Sequence, residues 1–321
     1  MITLRSLFIV HALFATSSVF AQAWPSRPVQ IVVPFAAGGA VDLVGRVVAQ
    51  ALQDSLKTPF VILNRPGAGG NIGTDVVAKA APDGQTILLT TNGQSISPAI
   101  FKSLSWDPFR DFAPVTQLFA TSIVIVTSPK SRLKTLGDVI AAAKARPGEL
   151  NYGGSGVGNA FHLTMELLKG RAGFDMQMVP YKSDGEIINA LNSGDIEIAM
   201  LSIATARAQV ENGDLRGIAI TSPRRSKALP DVPTIAEQGI PGFSAEGYLG
   251  FFAPAKTPRD IVDRLWRESK AAMDLPALRT RLEAFAVETV ASAPDDFAAF
   301  YRADVERFKA IVRDAKIPLQ E

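Results

Sequence analysis

The chain has 321 residues, no cysteine, and 33 basic against 31 acidic side chains. The missing cysteine excludes disulfides, thiolate metal sites, a cysteine nucleophile and a lipid-modified N-terminal cysteine. Near-balanced charge with no basic block argues against nucleic acid and anionic membrane surfaces as partners, and the length suffices for two cores.

The first residues address the chain. Arg5 is a short basic start, Leu7 to Phe20 is an apolar stretch, and Ala21-Gln22-Ala23 closes it with small residues. Together they read as a cleaved secretory leader over 1–23, with the mature chain starting at Trp24 in the periplasm. An uncleaved anchor is the alternative, but a membrane span needs about 20 apolar residues. Loss of the leader takes His11 with it and leaves His162 as the sole histidine. Histidine-clustered metal sites are thereby excluded, and no metal or organic cofactor is expected.

From Trp24 on, short apolar runs alternate with amphipathic stretches. Val29–Val33 reads as a strand, and Val41, Val44, Val47, Val48, Ala51 and Leu52 recur at helical spacing. Phe60–Leu63 is a second strand, a helix lies near Asn71–Lys79, and Thr86–Thr90 is a third strand. This alternation predicts βαβ units, a mainly parallel sheet and helices on both faces. Val115–Leu118 and Ile123–Thr127 are further strands at an expected crossing between lobes. Thr135 with Asp138 forms a capping-box-like start for the next helix, and Pro147-Gly148 stops it. A second α/β unit follows, with strands near Asn151–Gly153, Met176–Pro180, Ile196–Met200 and Leu215–Thr221. The Pro- and Gly-rich stretch from Pro230 to Pro258 reads as a return crossing, and helices close the chain over Pro258–Met273 and Pro294–Lys316. The expected division is 24–124 with 249–321 as one lobe and 125–248 as the other.

Three glycine-rich turns join strands to helices: Pro34 to Asp42, Asn64 to Asn71, and Gly153 to Asn159. Glycine lets the backbone approach a ligand closely. The first N–H groups of a helix lack internal partners and sit at its positive end, which suits an anion. In α/β sheets, ligands bind at the carboxyl ends of strands, where all three turns lie. A Gly-rich turn can equally be tight packing. Three of them behind a secretory leader favour capture of an anionic ligand. Asp42, in the first helical turn, reads as a cap or dipole partner before a ligand contact.

Catalytic motifs fit poorly. Gly154-Ser155-Gly156-Val157-Gly158 lacks the G-x-G-x-x-G spacing of a dinucleotide turn, and no phosphate loop is present. A nucleophile elbow needs G-x-S-x-G, and Val157 stands where its last glycine belongs. Ser155 thus reads as a hydrogen-bonding group, and His162 as a satisfied structural histidine. A hydrolase using Ser155 with His162 is the enzyme alternative.

The ordered set of Pro34–Gly39 with Asp42, Asn64–Asn71, Gly154–Gly158 before His162-Leu163, Val179–Lys182, Leu229–Thr234 and Pro241–Phe243 carries a family resemblance. The chain resembles, over its whole mature length, the solute receptors of tripartite tricarboxylate transporters, also called Bug receptors. The resemblance implies a type II periplasmic-binding-protein fold, with two α/β lobes joined by a hinge around a ligand cleft. It implies a small organic carboxylate held largely by backbone N–H groups and ordered water, and no catalysis.

Carried over residue by residue, the resemblance implies first-lobe contacts at Phe35, Ala36, Ala37, Gly38 and Gly39, beside Asp42, with Asn92 and Gly93 after the third strand. Second-lobe contacts would be Ser155, Gly156, Gly158 and Asn159, then Ser202, Ile203 and Thr205. Tyr248, where the family often has Trp, would flank the cleft. Three departures fall near the second-lobe wall. Ser183-Asp184 intervene before Gly185, Leu201 replaces a commonly polar residue, and Ala208 stands for a proline. Leu201 and Tyr248 are accordingly expected to tune specificity. The implied partners are a small organic acid and integral membrane transporter subunits, with a monomeric receptor. A sensor presenting its bound ligand to a signalling protein is the second functional reading.

Overall fold

The computed structural model describes residues 24–321; the leader expected over 1–23 lies outside the described residues. In chain order the first elements are β1 (Val29–Val33), α1 (Ala40–Leu56), β2 (Phe60–Asn64), α2 (Asn71–Ala78), β3 (Thr86–Thr91), α3 (Gly93–Ile100) and β4 (Phe112–Thr121). Then come β5 (Ile123–Thr127), α4 (Leu136–Ala145), β6 (Asn151–Gly154), α5 (Ala160–Ala172), β7 (Gln177–Pro180), α6 (Asp184–Ser193), β8 (Ile198–Ser202), α7 (Ile203–Glu211) and β9 (Arg216–Ile220). The chain closes with β10 (Gly247–Pro254), α8 (Arg259–Met273), α9 (Pro276–Glu283), β11 (Glu288–Thr289) and α10 (Pro294–Asp314).

Two sheets result. The first has strand order β11-β4-β10-β3-β1-β2 and the second β7-β6-β8-β5-β9. Both are mixed, not mainly parallel as expected. β1, β2 and β3 run parallel, as do β6, β7 and β8. β10 is antiparallel to β3 and β4, and β5 is antiparallel to β8 and β9. β4, β5 and β10 flank the two crossings between sheets, so their directions are set by those crossings and not by a βαβ unit.

Period-two side-chain alternation builds a core on each face of each sheet. Ile31, Val33, Ile87 and Leu89 face one core, while Val32 and Leu88 face the other. Ile123, Ile125 and Met200 oppose Val124, Val126, Ala199 and Leu201 in the same way. Each fully buried aliphatic side chain contributes roughly 1.5–3 kcal/mol. A one-residue slip would transfer a whole set to the wrong core, so the register is firmly specified.

The sheets change at two places. β4 ends at Thr121 and β5 begins at Ile123, leaving Ser122 between them; the return strand β10 begins at Gly247. Cuts after 124 and 248 therefore fall inside β5 and β10. β10 itself lies in the stretch expected to be only a return crossing. All eight of its residues are buried, so it shows no polar alternation to betray a strand. The Thr135–Asp138 capping box forms as expected.

Candidate functional site

The carboxyl ends of the parallel strands in both sheets lie beside the crossings. Thr91 at the end of β3 pairs with Leu249, and Thr121 at the end of β4 pairs with Gly247. In the second sheet Ser202, ending β8, pairs with Ile123. The helix starts that follow β1 and β3 therefore lie at the same edge as those following β6 and β8.

The first turn is exposed from Ala36 through Gly39, and Phe35 is half-buried. Asp42 is its scaffold. Its Oδ2 accepts from the Gly38 amide at 2.9 Å and from Arg46 Nε at 3.0 Å, and its Oδ1 accepts from Asn64 Nδ2 at 3.0 Å. Asn64 also donates to the Phe35 carbonyl at 3.1 Å. Burial would raise the Asp42 carboxyl, but the hydrogen bonds from Arg46, Gly38 and Asn64, with the Arg46 charge, outweigh it and hold the group below its usual range. Asp42 thus stays ionised and braces the turn. Gly38, at φ +82°, occupies the left-handed region that glycine tolerates.

Gly39 caps α1 without any side chain, and Leu43 is the first residue whose amide reaches back, to the Gly39 carbonyl at 3.0 Å. The amides of Ala40 and Val41 are left to face outward, at the helix's positive end. α2 and α3 likewise start without a side-chain cap. At α3, Thr91 Oγ1 takes the Gly93 amide at 3.2 Å, and the Asn92 carbonyl takes the Ser95 amide at 3.0 Å. Asn92 lies next to the return strand, 3.6 Å from where a Gly247 Cβ would stand.

The second-sheet turns are closed by their own side chains. Asn159 Oδ1 accepts from the His162 amide at 3.0 Å, and Asn159 Nδ2 donates to Ser155 Oγ at 2.9 Å. The Gly158 amide donates to His162 Nδ1 at 3.1 Å. That bond places the ring proton on Nε2, which points toward Glu166 at 3.6 Å. Burial lowers the His162 pKa, Glu166 opposes it and Lys169 adds to it, so the ring is neutral. His162 is the satisfied structural histidine expected, and with its acceptor nitrogen occupied it cannot activate Ser155. Ser202 Oγ caps α7 by accepting from the Thr205 amide at 3.2 Å, and Thr205 Oγ1 donates to Asp184 Oδ2 at 2.7 Å.

Three of the expected positions are buried. Tyr248 lies on β10. Its ring is fully buried, edge-on to Phe297 at 5.4 Å, and its hydroxyl pairs with Ser95 Oγ at 3.0 Å. Leu201 is equally buried and packs in a second-sheet core. Ile203 is 2% exposed, and its amide already donates to the Ser122 carbonyl at 3.0 Å. The causes are pleat and connection: Tyr248 and Leu201 sit on core-facing strand positions, and Ile203 is tied to the crossing.

Two surface depressions lie elsewhere. One, of about 400 Å³, is lined by Pro98, Lys309, Val312, Arg313, Lys316 and Leu319. Another, of about 370 Å³, is lined by Tyr181, Glu186, Asn189, Ser193 and Asp195. Neither contains a residue of the three turns. No group of three or more metal-ligating side chains occurs among the described residues. No helix among them is long and apolar enough to cross a membrane.

Residues 44–317 match the model of the tripartite tricarboxylate transporter family receptor. The chain is 35% identical to protein BugT of Bordetella pertussis, over 98% of this chain and 99% of that protein. A Rhodopseudomonas palustris protein solved with adipate superposes with a TM-score of 0.77 at 30% identity, covering 92% of this chain and 100% of that one. MatC of the same species, solved with malate, gives 0.73 at 30% identity, covering 90% and 100%. A TctC solute binding protein from Polaromonas gives 0.81 at 27% identity, covering 91% and 99%, and the mixed α/β two-sheet architecture is the type II fold.

Proposed function

The chain belongs to the tripartite tricarboxylate transporter receptor family and is a solute-binding receptor, not an enzyme; from that premise we propose that it captures a small organic carboxylate between its two halves and delivers it to integral membrane subunits. On this reading 24–121 with 247–321 form one lobe, and 123–245 the other. Residues 1–23 export the chain to the periplasm and are removed.

The observation that supports the reading is the uncapped start of α1. The exposed Ala36–Gly39 turn, braced by Asp42, leaves the Ala40 and Val41 amides without a helical acceptor beside the crossings. A carboxylate is the ligand chemistry that such a site takes. Phe35, Ala36, Ala37, Gly39, Asn92 and Gly93 form the first-lobe contact set, with Gly38 and Asp42 as its scaffold. Ser155, Gly156, Asn159, Ser202 and Thr205 line the facing lobe, and Gly158 positions it. Adipate and malate, carried by structural neighbours, show that the fold accommodates such acids.

A thermal-shift screen of the mature protein against mono-, di- and tricarboxylates, aromatic acids and neutral analogues tests this. A selective rise with an acid that is recovered intact is expected, because binding the native state stabilises it. A response confined to neutral or cationic compounds would refute it.

A further inference from the structure

One peptide group, between Ser244 and Ala245, is held from both halves at the return crossing. Its N–H donates to the Thr221 carbonyl at 2.9 Å. Thr221 is buried and also holds the outgoing crossing. Its Oγ1 accepts from the Ile123 amide at 3.0 Å, and its own amide donates to the Ile123 carbonyl at 3.0 Å. Both crossings are thus tied together on the second-half side. The carbonyl of the same peptide group accepts from the first half, where Arg307 Nη1 donates to it at 2.9 Å.

Arg307 is aimed by α10. Its Nη2 donates to Asp304 Oδ1, one helical turn back, and Asp304 is buried. Burial pushes the Asp304 carboxyl up, against the pull of Arg307 and Ser95. The guanidinium is a planar fork, so fixing one prong on Asp304 directs the other. α10 is anchored in the first half by Phe297 against Tyr248 and by Tyr301 against Phe252. A buried ion pair adds little stability over an apolar pair of similar size. What this pair supplies is direction. Glu246, next in the crossing, is half-buried; burial and then Glu288 push its carboxyl up, against Arg224 and Arg307. Arg307 therefore acts on the crossing through its charge as well as through its bond to Ser244.

We propose that Arg307 is a positioning residue of the hinge: by gripping the Ser244 carbonyl from α10, it sets the spacing of the two halves and so the geometry in which a ligand is bridged between them. The consequence for the ligand rests on the receptor reading above; the spacing belongs to the unliganded protein as well. A hinge turns on φ/ψ changes at a few residues. A change of ψ at Ser244 swings its carbonyl off Arg307, so the grip opposes that rotation.

Distances between spin labels at Lys144→Cys and Lys256→Cys, one on each half, test this without ligand. They are measured in the otherwise wild-type chain, in the double variant Asp304→Leu with Arg307→Met, and in Tyr248→Phe. The double variant replaces the ion pair by an apolar pair, which is commonly neutral for stability, and removes the bond to Ser244. It should shift the mean separation by roughly 2 Å or more, or broaden the distribution by as much. Tyr248→Phe loses a bond beneath the same helix without touching the crossing, and should leave the distances unmoved. Should the double variant not fold, Arg307→Lys, which keeps the charge beside Asp304 and Glu246 and loses the fork, is read in the same way. Distances unmoved in the folded Arg307 variant, or moved as far by Tyr248→Phe, overturn the proposal and leave the receptor reading standing. A wild type that binds no carboxylate in the thermal-shift screen overturns the receptor reading, and the distances still decide the role of Arg307.

Discussion

Gly158 and Ile100 meet across the two halves so closely that a β-carbon on Gly158 would lie 2.0 Å from Ile100 Cδ1. The same β-carbon would stand 3.1 Å from Gln320 Nε2, and that amide donates to the Val157 carbonyl at 3.4 Å. Ile100 ends α3 and Gly158 precedes α5, and the two helices share a core with α10 through Ile96, Leu163, Phe308 and Ile311. With its amide spent on His162, Gly158 is a spacer between the halves before it is a ligand contact.

Gly158→Ala should therefore push the halves apart, and Ile100→Val, which deletes the obstructing Cδ1, should bring them back. Part of the damage will persist, because φ is +83° at this position and a left-handed non-glycine residue costs about 1–2 kcal/mol. The chain has no cysteine, so spin labels at Lys144→Cys and Lys256→Cys report the separation directly. An unchanged distance in Gly158→Ala would mean that the turn yields and the halves do not.

His162 should make stability pH-dependent. Its folded pKa lies below the usual 6.5, chiefly through burial. As pH falls through that usual value the unfolded chain takes up the proton first, so the histidine's contribution is complete above it and erodes below it, down to the folded pKa. Protonation would also set an N–H against the Gly158 amide. Urea midpoints measured between about pH 7.5 and 5 should fall more steeply in the wild type than in His162→Gln. Parallel curves would contradict this.

Tyr248→Phe should cost about 1 kcal/mol in urea unfolding, by stranding the Ser95 hydroxyl, and should leave the ranking of ligands unchanged. A buried core tyrosine predicts exactly that division of effects; a cleft-wall residue predicts altered ranking and little loss of stability.

Asp42→Ala removes the acceptor for Gly38, Arg46 and Asn64 together. A loss of about 2–3 kcal/mol is expected, with carboxylate affinity weakened roughly tenfold as the turn loosens. Because the folded pKa of Asp42 is depressed below its usual 3.8, the stability it supplies is present above that value and lost as pH falls through the folded value. Asp42→Ala should flatten that part of the acid unfolding profile, and an unaltered profile would remove Asp42 from its bracing role.

Local signals in the sequence carried most of the architecture. Thr135 and Asp138 are three residues apart, and a capping box needs nothing more. The β1–α1 turn was likewise visible, because strand, glycines and helix are contiguous. What was hidden depends on which face a side chain takes in three dimensions. β10 is apolar on both faces and so carries no alternation, and Tyr248 and Leu201 lie on strands whose inner and outer sides could not be told apart. The bond from Thr205 to Asp184 joins residues 21 apart on different helices, which spacing alone does not reveal.

The most direct test of the account is the affinity of Gly39→Asp for the acid that stabilises the wild type. Aspartate is a better N-cap than glycine by a few tenths of a kcal/mol, so the variant should fold and melt at or slightly above the wild-type temperature. Its carboxylate would occupy the place proposed for the ligand's own, and affinity should fall by roughly a hundredfold, about 2.7 kcal/mol. A stably folded Gly39→Asp that binds the acid as tightly as the wild type would contradict an anion site at the start of α1.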